Sequence, residues 1–407
     1  MNRIADPRRS EQCLYSQAHL LWLGILLFLM HLGSRRQMRF ERLAEAFLHN
    51  LAKLCGQADL DTVADPDTLA YYAERVPLNL IDHLLASITV RLIRMKALDP
   101  FRLYGYFPIA IDGSQICTFD SEPWPNCPHR KLSNGSIQYF AYVLDAKLIT
   151  PCGMALSLAT ERLTNEGNEQ FDKQDCELKA FSRLVDKLHQ LFPRTLFCLL
   201  LDGLYANQNV IRLIESKQWK YIITFKEGSM PERYTEALAL ANMQQDHRLR
   251  LTQDHCTQVI RWVHQLPIAE FTPDVLFCHE TPEGKEATHF VWLTNFSLNS
   301  NNIQHIANKG GRLRWKIENE GFNVQKNDGY EMKHPYSEHP NGFRVFYILL
   351  LIAHLITQLI LHGNLIRSLA QSFGSAKNFA RRLAESLRNH LLPDTLSLPG
   401  QIRFRPP

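Results

Sequence analysis

The sequence predicts a mixed α/β (α+β) fold with a central sheet, on three observations. Residues 107–111 and 195–201 are short apolar runs, and each is followed by an Asp-Gly pair, at Asp112 and at Asp202. Apolar runs of this length that end in turn residues are typical of buried strands, because a helix needs a longer periodic pattern. After residue 173, amphipathic helical patterns alternate with further apolar runs, as they do around an α/β sheet.

The two aspartates that follow these runs are the first candidate site residues. If the two strands lie side by side, Asp112 and Asp202 come together at one edge of the sheet. Close carboxylates repel each other unless cations lie between them. The pair therefore predicts a metal site.

Length, charge and cysteine content narrow the class of protein. A chain of 407 residues is long enough for a large catalytic core with accessory pieces. The formal charge of +4 is a mild basic excess, which permits nucleic acid as a partner without requiring it. The nine cysteines include no Cys-x-x-Cys pair, which favours a reducing compartment. We expect a cytoplasmic protein.

Two apolar runs resemble membrane spans and one cysteine-containing loop resembles a zinc site, but we expect neither. Residues 20–30 are too short to span a bilayer, and residues 345–361 contain polar side chains that are rare inside a membrane. Both runs are typical of buried helices, so no membrane partner is expected, and a membrane-associated protein is the alternative. The loop with Cys117, Cys127 and His129 lacks a fourth ligand at a common zinc spacing, so we expect no zinc there.

Residues 1–100 are predicted to form an N-terminal helical domain with possible DNA binding. Apolar positions recur at helical spacing over residues 40–54 and 80–92. The second of these helices ends in three cations, Arg91, Arg94 and Lys96. These cations either contact phosphates or complement the negative C-terminus of the helix, and the second reading is favoured because charged helix ends are common.

Residues 101–228 are predicted to form the first part of a catalytic core. Two strand patterns, at 137–148 and 154–160, continue from the Asp112 run as an antiparallel meander. A helix, the strand that ends at Asp202, another helix and a last strand follow. Three meandering strands followed by helix, strand, helix and strand give the element order of a ribonuclease-H-like fold, in which the first and fourth strands are neighbours.

The rest of the chain divides into three predicted parts. Residues 229–296 alternate in polarity and are expected to form a β-rich insertion. Residues 297–370 complete the core, and residues 371–407 form a basic C-terminal helix and tail. Trp262 and Trp292 lie in the insertion, where they either stack on a displaced base or are buried on strands.

The helical pattern at residues 310–326 carries the third candidate carboxylate. Arg314, Glu318 and Phe322 are four residues apart, so they share one face of an α-helix. An ordinary surface ion pair is the alternative reading. Because the two aspartates are already placed at a sheet edge, we expect Glu318 to complete the site.

Three stretches of sequence carry a resemblance to a known family. They are DGS at 112–114, LLLDG at 199–203 and RWKIENEGFNVQKN at 314–327, with the β-rich insertion between the last two. In this order the chain resembles the DDE transposases of bacterial insertion sequences. The resemblance covers about residues 38–358, which is most of the chain.

The resemblance implies a metal site and a set of DNA contacts. In that family three acidic residues bind two divalent metals. Hard oxygen ligands and phosphate suit Mg²⁺, for which Mn²⁺ is expected to substitute. The residues at the corresponding positions are Asp112, Asp202 and Glu318 for the metals and Arg314, Lys316 and Lys326 for DNA.

The chain departs from the family pattern on both sides of the glutamate. Many relatives have a tyrosine three residues before the arginine and a lysine seven residues after the glutamate. This chain has Gly311 and Gln325 there, and Lys326 follows one residue later. The departure leaves the phosphate-binding role of Lys326 open and makes Glu320 a reserve candidate for the third acid.

The implied function is cleavage of DNA at the ends of an element and strand transfer into target DNA, by two-metal phosphoryl transfer. The expected partners are double-stranded DNA, as terminal repeats and target, and a second copy of the chain in a synaptic complex. A nucleoid-associated location would follow. A non-transposing DNA nuclease and a catalytically inactive DNA-binding protein of transposase descent are the alternatives.

Overall fold

The computed structural model describes residues 6, 8, 13–41, 44–57, 60–165, 172–253, 255–364, 372–393 and 401–404. These residues form a mixed α/β protein in which helices pack on a ten-stranded mixed sheet. The predicted fold class is confirmed at this level. Parts of the predicted C-terminal tail, 394–400 and 405–407, lie outside the described residues.

The described part of the first hundred residues is helical, in agreement with the apolar spacing. Its helices are α1 (Gln17–Leu29), α2 (Met38–Glu41), α3 (Glu45–Cys55), α4 (Pro66–Arg75) and α5 (Leu78–Arg94), with 3₁₀ turns at Arg35–Gln37 and Asp99–Phe101. Helix α4 shows why a helix begins where it does. The Asp65 side chain accepts a hydrogen bond from the Asp67 backbone N–H, and Pro66 occupies the first helical position, where its missing N–H costs nothing.

The sheet is built from strands in both halves of the chain. The strands are β1 (Phe107–Phe119), β2 (His129–Lys131), β3 (Ile137–Ile149), β4 (Ala155–Arg162), β5 (Phe197–Leu201), β6 (Lys220–Thr224), β7 (Arg248–Gln253), β8 (Cys256–Val263), β9 (Asp274–Pro282) and β10 (Thr288–Thr294). Their order across the sheet is β2-β3-β1-β5-β6-β10-β9-β8-β7, and β4 pairs with β3. Strands β1, β5 and β6 are parallel neighbours, while the other pairs are antiparallel.

Strand β1 is longer than the sequence predicts. The Asp-Gly pair is a turn signal, but β1 continues through Gly113 to Phe119 because this part pairs with β3 in antiparallel register. The parallel pairing with β5 is what stops, at Ala110 opposite Leu200. Asp112 therefore lies within a continuous strand, beside the point where β5 ends.

The predicted insertion extends the same sheet. It begins with α8 (Pro231–Met243) and continues as the antiparallel strands β7 to β10. Strand β10 returns to β6, with Trp292 opposite Thr224 and Leu293 opposite Ile223. The returning strand predicted near residue 290 is thus present. Within residues 101–228 lie α6 (Lys173–Leu191), α7 (Gln208–Ser216) and a 3₁₀ turn at Gly203–Tyr205.

The segment predicted as one α-helix over 310–326 is divided into three kinds of helix. After α9 (Ile303–Asn308) come a 3₁₀ turn (Gly311–Trp315), a π-helix (Ile317–Asn323) and α10 (Val324–Asn327). Two close approaches accompany the division. A Cβ on Gly311 would lie 2.3 Å from the Trp292 ring, and one on Gly321 would lie 3.0 Å from Lys147 Cε. Tertiary contacts therefore override the regular α-helical spacing here.

The long apolar helix α11 (Pro340–His362) lies in the core. It packs on α1, α4, α5 and β4, and most of its residues are buried. Among the described helices it alone is long and apolar enough by itself to cross a membrane, and α4 and α5 pass that test only as one bent span. Its burial is that of a core helix. The last helix, α12 (Ala376–Asn389), packs on α3.

Candidate active site

The first two predicted carboxylates lie at the ends of the pairing between two neighbouring parallel strands. The register of β1 and β5 pairs Ala110 with Leu200; Asp112 lies two residues further along β1, and Asp202 is the first residue after β5. Burial raises the pKa of Asp112, and the negative charge of Asp202 contributes in the same direction. The two side chains are therefore close enough to sense each other, as the sequence predicts.

Each aspartate is also held by its own hydrogen bonds. Asp112 Oδ2 accepts from Arg314 Nη1 at 2.9 Å, and Asp112 Oδ1 accepts from the Gly113 backbone N–H at 2.8 Å. Asp202 Oδ1 accepts from the Leu204 backbone N–H at 2.9 Å, which caps the 3₁₀ turn that follows β5. Both carboxylates thus keep a defined orientation, and the guanidinium partly compensates the charge of Asp112.

Tyr142 on β3 is affected by a larger group of carboxylates. Its ring lies against Gly113, where a Cβ would be 2.5 Å from Tyr142 Cε1. Burial raises the pKa of Tyr142, and four negative charges add to this effect. In decreasing order they are Glu177, Asp112, Asp202 and Glu318. The charges of all three predicted acids and of one further glutamate therefore act on one phenol.

Glu318 and Glu320 lie in different environments on the π-helix. Glu318 is half-buried, and its side chain makes no hydrogen bond or ion pair with any residue that the structure describes. Glu320 Oε1 accepts from Lys316 Nζ at 2.8 Å, and the Glu320 charge acts on His362 at the end of α11. Of the two, Glu318 is the one whose charge acts on Tyr142. Lys316, predicted to contact DNA, is engaged with Glu320.

Lys326 reaches the strand that carries Asp112. Its Nζ donates to Ser114 Oγ at 2.6 Å, and Ser114 lies two residues after Asp112, on the same face of β1. An α-helix returns to the same face after seven residues, whereas a π-helix accommodates one extra residue. The π-helix over residues 317–323 therefore shifts which of the residues after it faces β1. Lys326 turns toward β1, while Gln325 is fully buried.

Glu177 on α6 is a site residue that the sequence reading missed. It is 6% exposed, and Tyr205 OH donates to its Oε1 at 2.8 Å. Burial raises its pKa, the Tyr205 hydrogen bond lowers it, and the charges of Asp202 and Asp112 raise it further. The sequence did contain a signal for Glu177. It lies four residues before Phe181, on the apolar face of the helix, where a carboxylate is unusual.

A cavity of about 390 Å³ opens beside Asp202. Its cationic and aromatic lining residues include Lys226, Arg312, Arg314, Phe290, Trp292 and Trp315. Trp315 is 57% exposed and also was missed, whereas Trp262 and Trp292 are 6% and 3% exposed. Trp262 and Trp292 are therefore buried strand residues. Trp315 is the ring whose exposure leaves it available for stacking.

The carboxylates suit a divalent cation by their chemistry but do not form a complete metal site. Carboxylate oxygens are the ligands that Mg²⁺ and Mn²⁺ prefer, and burial with repulsion from Asp202 disfavours the unaccompanied charge of Asp112. Among the described residues, however, no three His, Cys, Asp or Glu side chains lie in a metal-holding arrangement. The Arg314 guanidinium occupies one oxygen of Asp112.

No protein-family model and no curated protein matches the chain. The family resemblance seen in the sequence therefore stays a prediction.

Proposed function

We propose that the chain is a DDE transposase, which cleaves DNA at the ends of an element and joins the new ends to target DNA. One observation carries the proposal. Asp112 on β1 and Asp202, which directly follows the parallel neighbour β5, lie at the same edge of the sheet, and Arg314 ties the segment that carries Glu318 to Asp112. This arrangement supports the proposal, because a two-metal site for phosphoryl transfer is built from acids that distant parts of the sequence contribute.

The sheet order supports a ribonuclease-H-like core. Strands β1, β3 and β4 form an antiparallel meander, and β5 and β6 follow on the other side of β1 in parallel register. The first and fourth strands of that core are then β1 and β5. In this proposal β7 to β10 are an insertion that continues from the sheet edge.

The carboxylates are proposed to hold two Mg²⁺ ions, through Asp112, Asp202 and Glu318. The chemistry supplied by such ions is activation of a water or a DNA 3′-hydroxyl and stabilisation of the leaving oxygen. Arg314 neutralises Asp112 while the ions are absent and is placed to contact a phosphate once it leaves that carboxylate. Lys326 is placed to bind a phosphate oxygen beside Ser114.

The cavity beside Asp202 suits DNA as the partner. Lys226, Arg312 and Arg314 supply positive charge for the backbone, and Trp315 supplies a ring face for an unpaired base. Terminal repeats and target DNA are the proposed substrates, and a synaptic complex of two copies is the proposed assembly. Association of the protein with the nucleoid would follow from these DNA partners.

A catalytically inactive DNA-binding protein is the second candidate, and one observation favours it. The described residues offer no complete three-ligand metal group, and Arg314 already satisfies Asp112. In this alternative the ion pair with Arg314 is permanent. The cavity beside Asp202 would then bind DNA without cutting it.

The deciding experiment measures cleavage and strand transfer on a labelled duplex with the element's terminal repeat and Mg²⁺. We compare the wild type with Asp112→Asn, Asp202→Asn and Glu318→Gln, and use Glu320→Gln as the matched control. Loss of both products in the first three variants and activity in the fourth supports the transposase. Cleavage without strand transfer identifies a nuclease, and DNA binding by a folded wild type that never cuts favours the second candidate.

A further inference from the structure

A fully buried lysine lies beneath the π-helix. Lys147 on β3 has no solvent exposure, and its Nζ lies 2.7 Å from Asp145 Oδ2 and 3.0 Å from Ser157 Oγ. Burial lowers the pKa of Lys147, and the Asp145 charge opposes this shift. Asp145 also accepts a hydrogen bond from Tyr347 OH at 2.8 Å, so the pair is joined to α11.

The contacts of Lys147 are with the segment that carries Glu318. A Cβ on Gly321 would lie 3.0 Å from Lys147 Cε, so only glycine allows the π-helix to approach this closely without displacement. The ammonium lies 5.0 Å from the centre of the Phe322 ring and 3.5 Å from Gln325 Oε1. Three residues in five successive positions therefore adjoin one side chain.

The network continues from Gln325 to α11 and back to the sheet. Gln325 Nε2 lies 3.0 Å from His354 Nδ1, and Gln358 bonds the backbone of Ala155 through both its amide atoms. Burial lowers the pKa of His354 to about 3, with a contribution from the Lys147 charge, so this imidazole is neutral at pH 7. Lys147 and Asp145 are thus the charged pair at the centre of an otherwise neutral network.

Stability alone does not explain such a pair. Replacing a buried ion pair with apolar or neutral groups of similar volume is often neutral or stabilising, because desolvation offsets the attraction. A π-helix is uncommon and needs its neighbours to maintain it. Asp145 is also the strand partner of Asp112 in register, so the anchor of the network lies one strand away from the first acid.

We propose that Lys147 is a positioning residue. Its buried ion pair with Asp145 holds the π-helix at the rotation about its own axis that turns Glu318 and Lys326 toward the active site. The catalytic part of this proposal rests on the proposed function. The positioning of the segment does not, and it is measured separately.

The test compares two charge-removing variants with the wild type. The paired variant is Asp145→Asn/Lys147→Met. The matched control removes a second buried ion cluster, between β4, α5 and α6, as Asp82→Asn/Glu161→Gln/Lys187→Met. For each we measure hydrogen exchange of the amides of residues 317–326, the urea midpoint of unfolding, the affinity for terminal-repeat DNA and the single-turnover cleavage rate.

We expect the effect of the paired variant to be local. Its exchange over residues 317–326 should be about tenfold faster, and its cleavage rate about tenfold lower, while the DNA affinity stays unchanged. The control should leave the exchange of this segment as in the wild type. Wild-type exchange in a folded paired variant would overturn the proposal.

A second variant keeps the test decisive if the paired variant does not fold. Gly321→Ala leaves both charges in place but adds a methyl group where Lys147 Cε lies 3.0 Å away. Because alanine favours helices more than glycine does, faster exchange over residues 317–326 in this variant supports positioning by the contact, and unchanged exchange opposes it. If a variant shows the local exchange effect but the wild type never cuts DNA, the proposed function fails and the positioning stands.

Discussion

Arg314 Nη1 donates to Asp112 Oδ2 at 2.9 Å, which joins two residues that are 202 positions apart in sequence. The bond places a cation beside the first of the predicted acids and fixes the 3₁₀ turn before the π-helix against β1. Burial raises the pKa of Asp112 and the Asp202 charge adds to this, while the Arg314 charge opposes the shift.

Arg314→Gln should shift the acid limb of the pH–activity profile to higher pH. Without the guanidinium, burial and the Asp202 charge are left to raise the pKa of Asp112, so ionisation of this carboxylate needs a higher pH. The measurement is the single-turnover cleavage rate from about pH 5 to pH 9. Arg312→Gln is the control, since Arg312 pairs with Glu280 instead. An unshifted acid limb would show that Asp112 does not set it.

Glu177→Gln should stabilise the protein at neutral pH by about 1 kcal/mol. The pKa of Glu177 is raised in the folded state, so its ionised form costs stability above that pKa, and the cost disappears at acid pH, where the carboxyl is protonated. Glutamine keeps the oxygen that accepts from Tyr205. The gain should therefore be present at about pH 7.5 and absent at about pH 4, as measured by urea unfolding. Exposed Glu232→Gln is the control, and a loss of stability at neutral pH would contradict the prediction.

Lys326→Gln should weaken binding to DNA and reduce the slope of log affinity against log salt by about one. The reason is the loss of one phosphate contact beside Ser114. The swapped variant Gln325→Lys/Lys326→Gln should not restore it, because position 325 is fully buried next to Lys147. A second charge there should cost about 3 kcal/mol in the free energy of unfolding. If the swapped variant bound DNA like the wild type, the π-helix would not determine which residue of this segment faces β1.

Gly113→Ala should lower the free energy of unfolding by about 1 to 3 kcal/mol, because the new methyl group would overlap the Tyr142 ring. Gly228→Ala is the control, since no atom lies within 4 Å of a Cβ at that position. Urea unfolding measures both. In Gly113→Ala/Tyr142→Leu the two costs should be less than additive, because the smaller side chain removes the overlap. If the two losses in the free energy of unfolding simply added, the destabilisation by Gly113→Ala would not come from overlap with the Tyr142 ring.

Local patterns predicted the elements around the site well. The apolar runs before Asp112 and Asp202 are strands β1 and β5, and the helical spacing between them is α6. These patterns repeat over a few residues, so a window of the sequence contains them. The predicted end of β1 was wrong because it depends on a distant part of the chain. Pairing with β3 overrides the turn signal of Asp112 and Gly113.

The sequence by itself determined the strands, the apolar helices and the two aspartates that neighbouring strands bring together. The tertiary structure alone decided the division of residues 310–327 into 3₁₀, π and α segments, the burial of Glu177 and the turn of Lys326 toward Ser114. The physical reason is distance along the chain. Helical and strand periodicity comes from residues a few positions apart, whereas helix phase and the environment of a charge depend on partners such as Lys147 and Gln325, which are 178 residues apart.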